Sequence, residues 1–178
     1  KYQEIVTPDS FYVGLTGLEQ WAKQTKQPMD RAILHSLIAG IYADYAANNQ
    51  WELRRRTEIV EEAPSADLRE WTANIFVEKV RTNVKEALAD SVLLLKTSSR
   101  GYIPFVELGE TSEYYHHDMY HLLASRSIEA LQRVEELSNR ITNDGTVNPV
   151  KQDIIAIYGN MIPAYKATGL KEGYVLTA

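Results

Sequence analysis

The sequence predicts an all-α fold, an array of antiparallel helical hairpins with the outline of a tetratricopeptide-like (TPR-like) α-solenoid. Apolar residues recur at three- and four-residue spacing through most of the chain, glycine and proline fall between these segments, and strand-like alternation is scarce. At 178 residues the chain has the length of one ordinary domain. We therefore expect residues 1–178 to form a single helical domain.

The first two predicted helices lie on either side of Gln27 and Pro28, which interrupt the apolar pattern. Thr7 and Pro8 are typical of a helix start, a capping residue followed by proline at the first helical position. The apolar face of the first helix consists of Leu15, Leu18, Trp21 and Ala22. The second helix has a wider stripe, which consists of Ile33, Leu34, Leu37, Ile38, Ile41, Tyr42 and Tyr45. Helices joined by such a short turn are typical of a hairpin.

A third helix of about six turns is predicted after a cap at Pro64 and Ser65. Its apolar positions are Leu68, Trp71, Ile75, Val80, Val84 and Leu88. The segment from Leu93 to Gly109 is irregular. Within it, Tyr102–Val106 is short and apolar, and its proline favours a packed connector over a central strand.

Two more helices are predicted in the second half of the chain. One begins near Thr111–Glu113, where a capping residue and an acid suit the positive helix end. Its buried face consists of Met119, Leu122, Leu123, Ile128, Leu131 and Val134. The other opens at Pro149 after a turn at Asn143–Gly145. A further element begins at Leu170 and is cut short at Ala178, so we expect a fragment of a larger protein.

Composition excludes several classes of function. The 19 Lys and Arg residues are outnumbered by 24 Asp and Glu, and this net charge of -5 argues against nucleic-acid binding, which requires clustered positive charge. No apolar run approaches the ~18 residues of a membrane span. Because the sequence has no cysteine, thiol catalysis, cysteine zinc sites and disulfides are excluded within these residues.

One cluster, His116–His121, invites a reading as a metal centre. His117 and His121 are four residues apart and would project from one face of a helix, with Asp118 beside them, and two imidazoles at that spacing can chelate a divalent metal. The pattern lacks the glutamate base of helical zinc proteases and an evident third ligand. We therefore favour a structural role, with His121 at the edge of an apolar face and His116 in solvent.

Other candidate chemistry is weaker still. His35 and Ser36 are neighbours that point in different directions on a helix, and neither a nucleophile elbow nor a nucleotide-binding glycine motif occurs. The three tryptophans, Trp21, Trp51 and Trp71, are interpreted as core residues on helical spacing. We therefore expect no enzymatic activity, no catalytic residue, no cofactor and no metal ligand.

Several segments follow one another in an order that resembles the N-terminal helical region of large α2-macroglobulin-like proteins from Bacteroidetes-type bacteria. These segments are Ile33–Tyr42, Trp51, Arg56–Thr57, Leu68–Trp71 and Ser112–Leu123. The resemblance extends from about Leu18 to the end of the chain, where Asp153–Leu176 resembles the next helical hairpin of that region.

The resemblance implies a non-catalytic helical scaffold or docking module of a protein that inhibits endopeptidases by entrapment. In that family a protease cleaves a bait region and the multidomain protein closes around it, and many members fix the protease through a Cys–Gln thioester. The bait, the β-sandwich domains and any thioester would lie outside these residues, so no functional residue of the family transfers to them. The implied location is periplasmic or cell-surface, with a lipid anchor upstream, and the implied partners are the parent's other domains, proteases and envelope proteins.

Two alternatives stay open at this point. One is a free-standing, metal-dependent helical enzyme that uses His117, Asp118 and His121. The other is a tetratricopeptide-like adaptor that binds a peptide in the groove of its helical array.

Overall fold

A computed structural model describes residues 8–56, 65, 67–102, 109, 112–141, 147–170, 173 and 175. Its α-helices are α1 (Pro8–Gln24), α2 (Pro28–Asn48), α3 (Gln50–Leu53), α4 (Ala73–Ala87), α5 (Ser91–Lys96), α6 (Ser112–Tyr115), α7 (Met119–Ile141) and α8 (Pro149–Thr168). Two 3₁₀ turns, Leu68–Glu70 and Ser99–Tyr102, complete the regular structure. The described part of the chain contains no strand, so the prediction of an all-α fold is confirmed. The hairpin-array arrangement stays a prediction.

The core lies where α2, α4 and α7 pack on one another, with α1 against α2 and α8 against α7. Side chains buried there include Leu34, Ile38, Tyr42, Val80, Val84, Leu123, Leu131, Val134 and Leu137. An aromatic cluster lies at the α2–α4 contact, where the Phe76 ring centroid is 5.2 Å from Tyr45 and 5.3 Å from Trp71. Each large ring buried in this way contributes a few kcal/mol relative to an exposed one.

The first two helices begin and end close to where the apolar pattern places them. Pro28 occupies the first turn of α2, where the missing proline N–H costs no hydrogen bond. The interpretation of all three tryptophans as core residues is wrong, because Trp21 is 57% exposed and Trp51 is 68% exposed. The Arg55 guanidinium covers the Trp51 ring at 4.5 Å, so this ring packs on a neighbouring charged side chain and not in the core.

The third predicted helix is interrupted near its start. Trp71 is extended, and α4 begins only at Ala73. The Trp71 carbonyl accepts a hydrogen bond from Arg56 Nη1 at 2.7 Å, and its indole Nε1 donates to the Ser65 carbonyl at 2.6 Å. These two hydrogen bonds satisfy the carbonyl and the indole N–H of Trp71 outside a helix, and the residue is buried. Pro64, part of the predicted cap, lies outside the described residues.

The segment from Leu93 to Gly109 is more regular than predicted. It contains most of α5, whose first turn is capped by the Asp90 carboxylate through the Leu93 N–H at 3.1 Å, and the 3₁₀ turn at Ser99–Tyr102. Most of the predicted connector, residues 103–106, and the predicted turn at Asn143–Gly145 lie outside the described residues.

Helix α8 begins at Pro149, as the sequence predicts. The Asn148 side chain accepts hydrogen bonds from the N–H groups of Val150 and Lys151, which caps the start of the helix. Gly169 ends it with a φ of +74°, a left-handed conformation that favours glycine. Among the described residues, no helix has the length and apolarity that crossing a membrane requires. The element predicted from Leu170 falls mostly outside the described residues.

Candidate functional site

The predicted histidine cluster lies where the chain enters α7. Asp118 directly precedes the helix, and its Oδ1 accepts the backbone N–H of His121 at 2.9 Å. A carboxylate in this position satisfies one of the unpaired N–H groups of the first turn and faces the positive end of the helix dipole. Asp118 is only 2% exposed, so its carboxyl group contacts other protein groups and almost no solvent.

A short backbone bridge fixes this entry to a distant part of the chain. Ser98 and Asp118 pair in antiparallel fashion: the Met119 N–H donates to the Thr97 carbonyl at 2.9 Å, and the Ser99 N–H donates to the His117 carbonyl at 3.1 Å. The Ser99 hydroxyl also donates to the His116 carbonyl at 2.5 Å. The backbone of His116–Met119 is therefore held in one geometry before α7 begins.

The His121 side chain lies inside the protein and has no exposed surface. Its Nδ1 is 2.8 Å from Asp118 Oδ2, which fits a hydrogen bond from the imidazole N–H to the carboxylate. The Tyr165 ring of α8 stacks on it with centroids 3.7 Å apart, and the Tyr165 hydroxyl donates to the Tyr115 carbonyl at 2.5 Å. Among the described residues, His121 Nε2 has no hydrogen-bond partner.

His117 reaches the same carboxylate from the other side. Its Nδ1 is 3.0 Å from Asp118 Oδ2, but the two groups are not aligned for a hydrogen bond, and this buried nitrogen has no hydrogen-bond partner within the described part of the chain. The His117 side chain as a whole is 37% exposed, unlike that of His121. Possible ligand atoms of His117, Asp118 and His121 all lie within 4.8 Å of one another.

His116 points away from this group toward a shallow groove. Its Nε2 is 3.0 Å from Ser125 Oγ, and both residues line a cavity of about 290 Å³ together with Glu129 and Tyr165. Burial lowers the pKa of His116, and the nearby charge of Glu129 acts in the opposite direction. A serine beside a histidine suits nucleophilic catalysis, but no described residue forms a hydrogen bond to His116 Nδ1 that would orient the ring as a base.

The structure corrects the predicted geometry of the cluster. The expectation that His117 and His121 project from one helical face is wrong, because His117 precedes the helix and only His121 belongs to it. The two are brought together by Asp118, which both contact. The expectation of His116 in solvent is also wrong, since the side chain is half-buried against Ser125.

Sequence reasoning missed the partners that complete the site. Tyr165 and Ser98 are far from the cluster along the chain, and no local pattern marks either as a neighbour of His121. One signal was present: an aspartate directly before an apolar helical segment is typical of a helix cap, and it could have placed the start of α7 after Asp118. The other weak candidate, His35, lies between α2 and α4, where its Nδ1 is 2.7 Å from Asn83 Oδ1.

The arrangement has two chemical capacities. The Asp118–His121 pair joins the first turn of α7 to a ring that packs against α8, which is a structural task. The three nitrogen and oxygen donors can also approach a single cation. Chemistry on a large substrate is disfavoured, because Asp118 and His121 are both buried.

Comparisons with models of known protein families, with curated proteins and with solved structures found no significant match to this chain. Its function is therefore inferred from its own residues and their geometry.

Proposed function

We propose that this chain is a non-catalytic helical scaffold or interaction module. One observation carries the proposal: among the described residues, the group of His and Asp side chains that lies closest together is used to hold the fold together. Asp118 caps α7, and His121 is sealed between Asp118 and the Tyr165 ring. A catalytic group must touch its substrate, and these two side chains offer almost no surface for such contact.

We further propose that the helices form an array of hairpins. Helices α1 and α2 are joined by residues 25–27 alone, and they contact each other. Helices α7 and α8, which follow one another in the chain, also contact each other. Short connections between contacting helices are typical of hairpins, and stacked hairpins present extended surfaces for partners. Trp21 and Trp51, with more than half of each side chain exposed, are candidate contact residues on such a surface.

The resemblance suggests the parent protein. We propose that the module belongs to an α2-macroglobulin-like protease-trapping protein in the periplasm or at the cell surface, with partners among its other domains, proteases and envelope proteins. In support, three of the five resembling segments coincide with elements that meet in the core: Ile33–Tyr42 lies in α2, Trp71 packs on Phe76 of α4, and Ser112–Leu123 includes the start of α7.

The size and location of the native polypeptide test this proposal. An antibody raised against residues 1–178 is expected to detect a band above about 100 kDa in the envelope fraction of source cells, because a multidomain inhibitor contains many domains of ordinary size. A band near 20.2 kDa, the mass of this chain, would contradict the proposed parent.

The protein recovered with the same antibody gives a second readout. After incubation with a protease, entrapment predicts that cleavage of large protein substrates is lost while cleavage of short peptides continues, because a closed cage excludes substrates by size. Loss of both activities would indicate an ordinary active-site inhibitor, and loss of neither would argue against inhibition.

A further inference from the structure

We propose that His117, Asp118 and His121 form a binding site for a divalent transition-metal cation of the Zn²⁺ type. The ligand atoms would be Asp118 Oδ2 and the Nδ1 atoms of the two histidines. This site goes beyond the scaffold function and does not depend on the identity of the parent protein.

The distances among the three donors suit one shared cation. Asp118 Oδ2 is 2.8 Å from His121 Nδ1 and 3.0 Å from His117 Nδ1, and the possible ligand atoms all lie within 4.8 Å of one another. In a tetrahedral zinc site with bonds of about 2.0–2.2 Å, the donors are separated by roughly 3.3–3.6 Å. Small rotations of two side chains would open that space. Imidazole and carboxylate donors together are a ligand set that zinc accepts readily.

Helix capping accounts for only one of the two oxygens of the Asp118 carboxylate. Oδ1 caps α7 through the His121 N–H, whereas Oδ2 faces two imidazole nitrogens at once. Only the His121 ring is aligned to donate a hydrogen bond to Oδ2. The buried Nδ1 of His117 lacks a hydrogen-bond partner in the described structure. If it carries a proton, a buried donor is left unsatisfied, and if it does not, its lone pair faces the carboxylate oxygen and repels it. A cation between the three atoms removes this conflict.

The backbone holds the donors before any ion arrives. His117 and Asp118 are fixed by the bridge to Ser98–Ser99, and His121 lies in the first turn of α7. The partly exposed His117 ring leaves a path from solvent, while Asp118 supplies the negative charge that a cation near a helix N-terminus requires. A bound ion would thus strengthen the link between the Ser98–Ser99 segment and α7, which is a structural role.

We expect affinity in the micromolar range. The chain supplies three ligands, whereas structural zinc sites commonly have four. Moreover, His121 Nε2 has no hydrogen-bond partner among the described residues, and loss of such a supporting bond typically costs about 10–100-fold in metal affinity.

Zinc titration of the full 178-residue chain, purified without a histidine tag and treated with a chelator, tests the site. Calorimetry is expected to show one saturable site. Zn²⁺ at about 100 times its Kd is expected to raise Tm by about 5–10 °C. His117→Asn removes one ligand with little risk to folding, because the His117 side chain is 37% exposed. His116→Asn is the matched control, because the His116 ring contacts Ser125 instead of Asp118. We expect His117→Asn to weaken binding at least about tenfold and His116→Asn to leave it within about twofold.

Three results would overturn the proposal. The first is the absence of saturable binding to the wild-type chain. The second is equal weakening in the two variants, which would indicate adventitious chelation by neighbouring histidines. The third is unchanged binding in a folded His117→Asn variant. Co²⁺ gives an independent readout, since a tetrahedral site would show intense visible absorption that His117→Asn abolishes. None of these outcomes affects the expected size of the native polypeptide, so the two proposals fail separately.

Discussion

Two buried regions of this protein are built on different principles. In the α2–α4 contact, Phe76 has no exposed surface and packs against the rings of Tyr45 and Trp71. At the start of α7, His121 is equally inaccessible, but it lies between a carboxylate and the Tyr165 ring. The first region is stabilised by burial of apolar area, which has no preferred direction. The second depends on particular donors meeting particular acceptors.

This difference predicts different responses to substitution. In the apolar region the loss of stability follows the volume removed, because the neighbouring side chains close a cavity only in part. In the polar region the loss of stability follows the number of buried hydrogen-bond donors and acceptors that lose their partners, even where the change in side-chain volume is small. The substitutions below compare these two rules.

The largest expected loss is at Phe76. Phe76→Ala removes a ring that has no exposed surface and contacts both α2 and Trp71, so we expect a decrease of about 3–5 kcal/mol in the free energy of unfolding. Urea denaturation followed by circular dichroism measures it. Val92→Ala is the control: its side chain is 61% exposed, and we expect a change within about 0.5 kcal/mol. Comparable losses in the two variants would mean that the α2–α4 contact is not the packed centre of the protein.

A smaller but sharper effect is expected at Asp118. Asp118→Ala removes the cap of α7 and leaves His121 Nδ1 without its acceptor, for an expected loss of about 2–4 kcal/mol. Asp118→Asn has nearly the same volume and keeps an oxygen for the cap, so its loss should be about half as large. Urea denaturation of both variants in the presence of a chelator keeps metal binding out of the comparison. Equal losses would show that the cap contributes little, and negligible losses would contradict a structural role for the cluster.

The sequence is sufficient to predict the all-α class, the approximate positions of the long helices and much of the core. Spacing alone identified Ile38, Val80 and Leu131 as buried, and all three are buried. It failed for Trp21 and Trp51, because periodicity shows which residues share a helix face and not whether another helix covers that face. The interruption at Trp71 was also missed, since it depends on hydrogen bonds from Arg56 and to Ser65 that local propensity does not encode.

For the candidate site, the sequence predicts the residues but not their geometry, because the geometry also depends on contacts between distant segments. Its three candidate ligands stand within five consecutive residues, so a search for histidine and aspartate finds them. Their geometry depends on contacts that span much longer separations, the backbone bridge to Ser98 and the ring of Tyr165. A local sequence pattern contains no information on which distant segments meet. The sequence therefore predicted which residues form the cluster but not how they are arranged.

Glu19 provides an intermediate case between the two regions. Its Oε1 accepts hydrogen bonds from the Tyr42 hydroxyl at 2.7 Å and from Lys79 Nζ at 3.0 Å, which ties α1 to α2 and α4. Lys79 Nζ also lies 5.2 Å from the Trp71 ring centroid, at the edge of the aromatic cluster. Like Asp118, Glu19 serves two donors, but its side chain is 25% exposed and solvent can replace part of what a substitution removes.

Glu19→Gln should therefore have the smallest effect, about 1 kcal/mol at pH 7, and the effect should depend on pH. Burial raises the pKa of Glu19, but the hydrogen bonds from Tyr42 and Lys79 outweigh it and bring the pKa below its ordinary value of 4.5. A carboxyl with a lowered pKa in the folded state stabilises the fold above its unfolded pKa and loses that contribution as pH falls through the folded value. The difference in the free energy of unfolding between wild type and Glu19→Gln should thus be constant from neutral pH to above 4.5 and shrink at lower pH, as measured by urea denaturation across this range.

Glu86→Gln on the exposed face of α4 is the control and should show neither the loss of stability nor its dependence on pH. A pH-independent difference at Glu19 would mean that its charge contributes nothing to the contact with Tyr42 and Lys79.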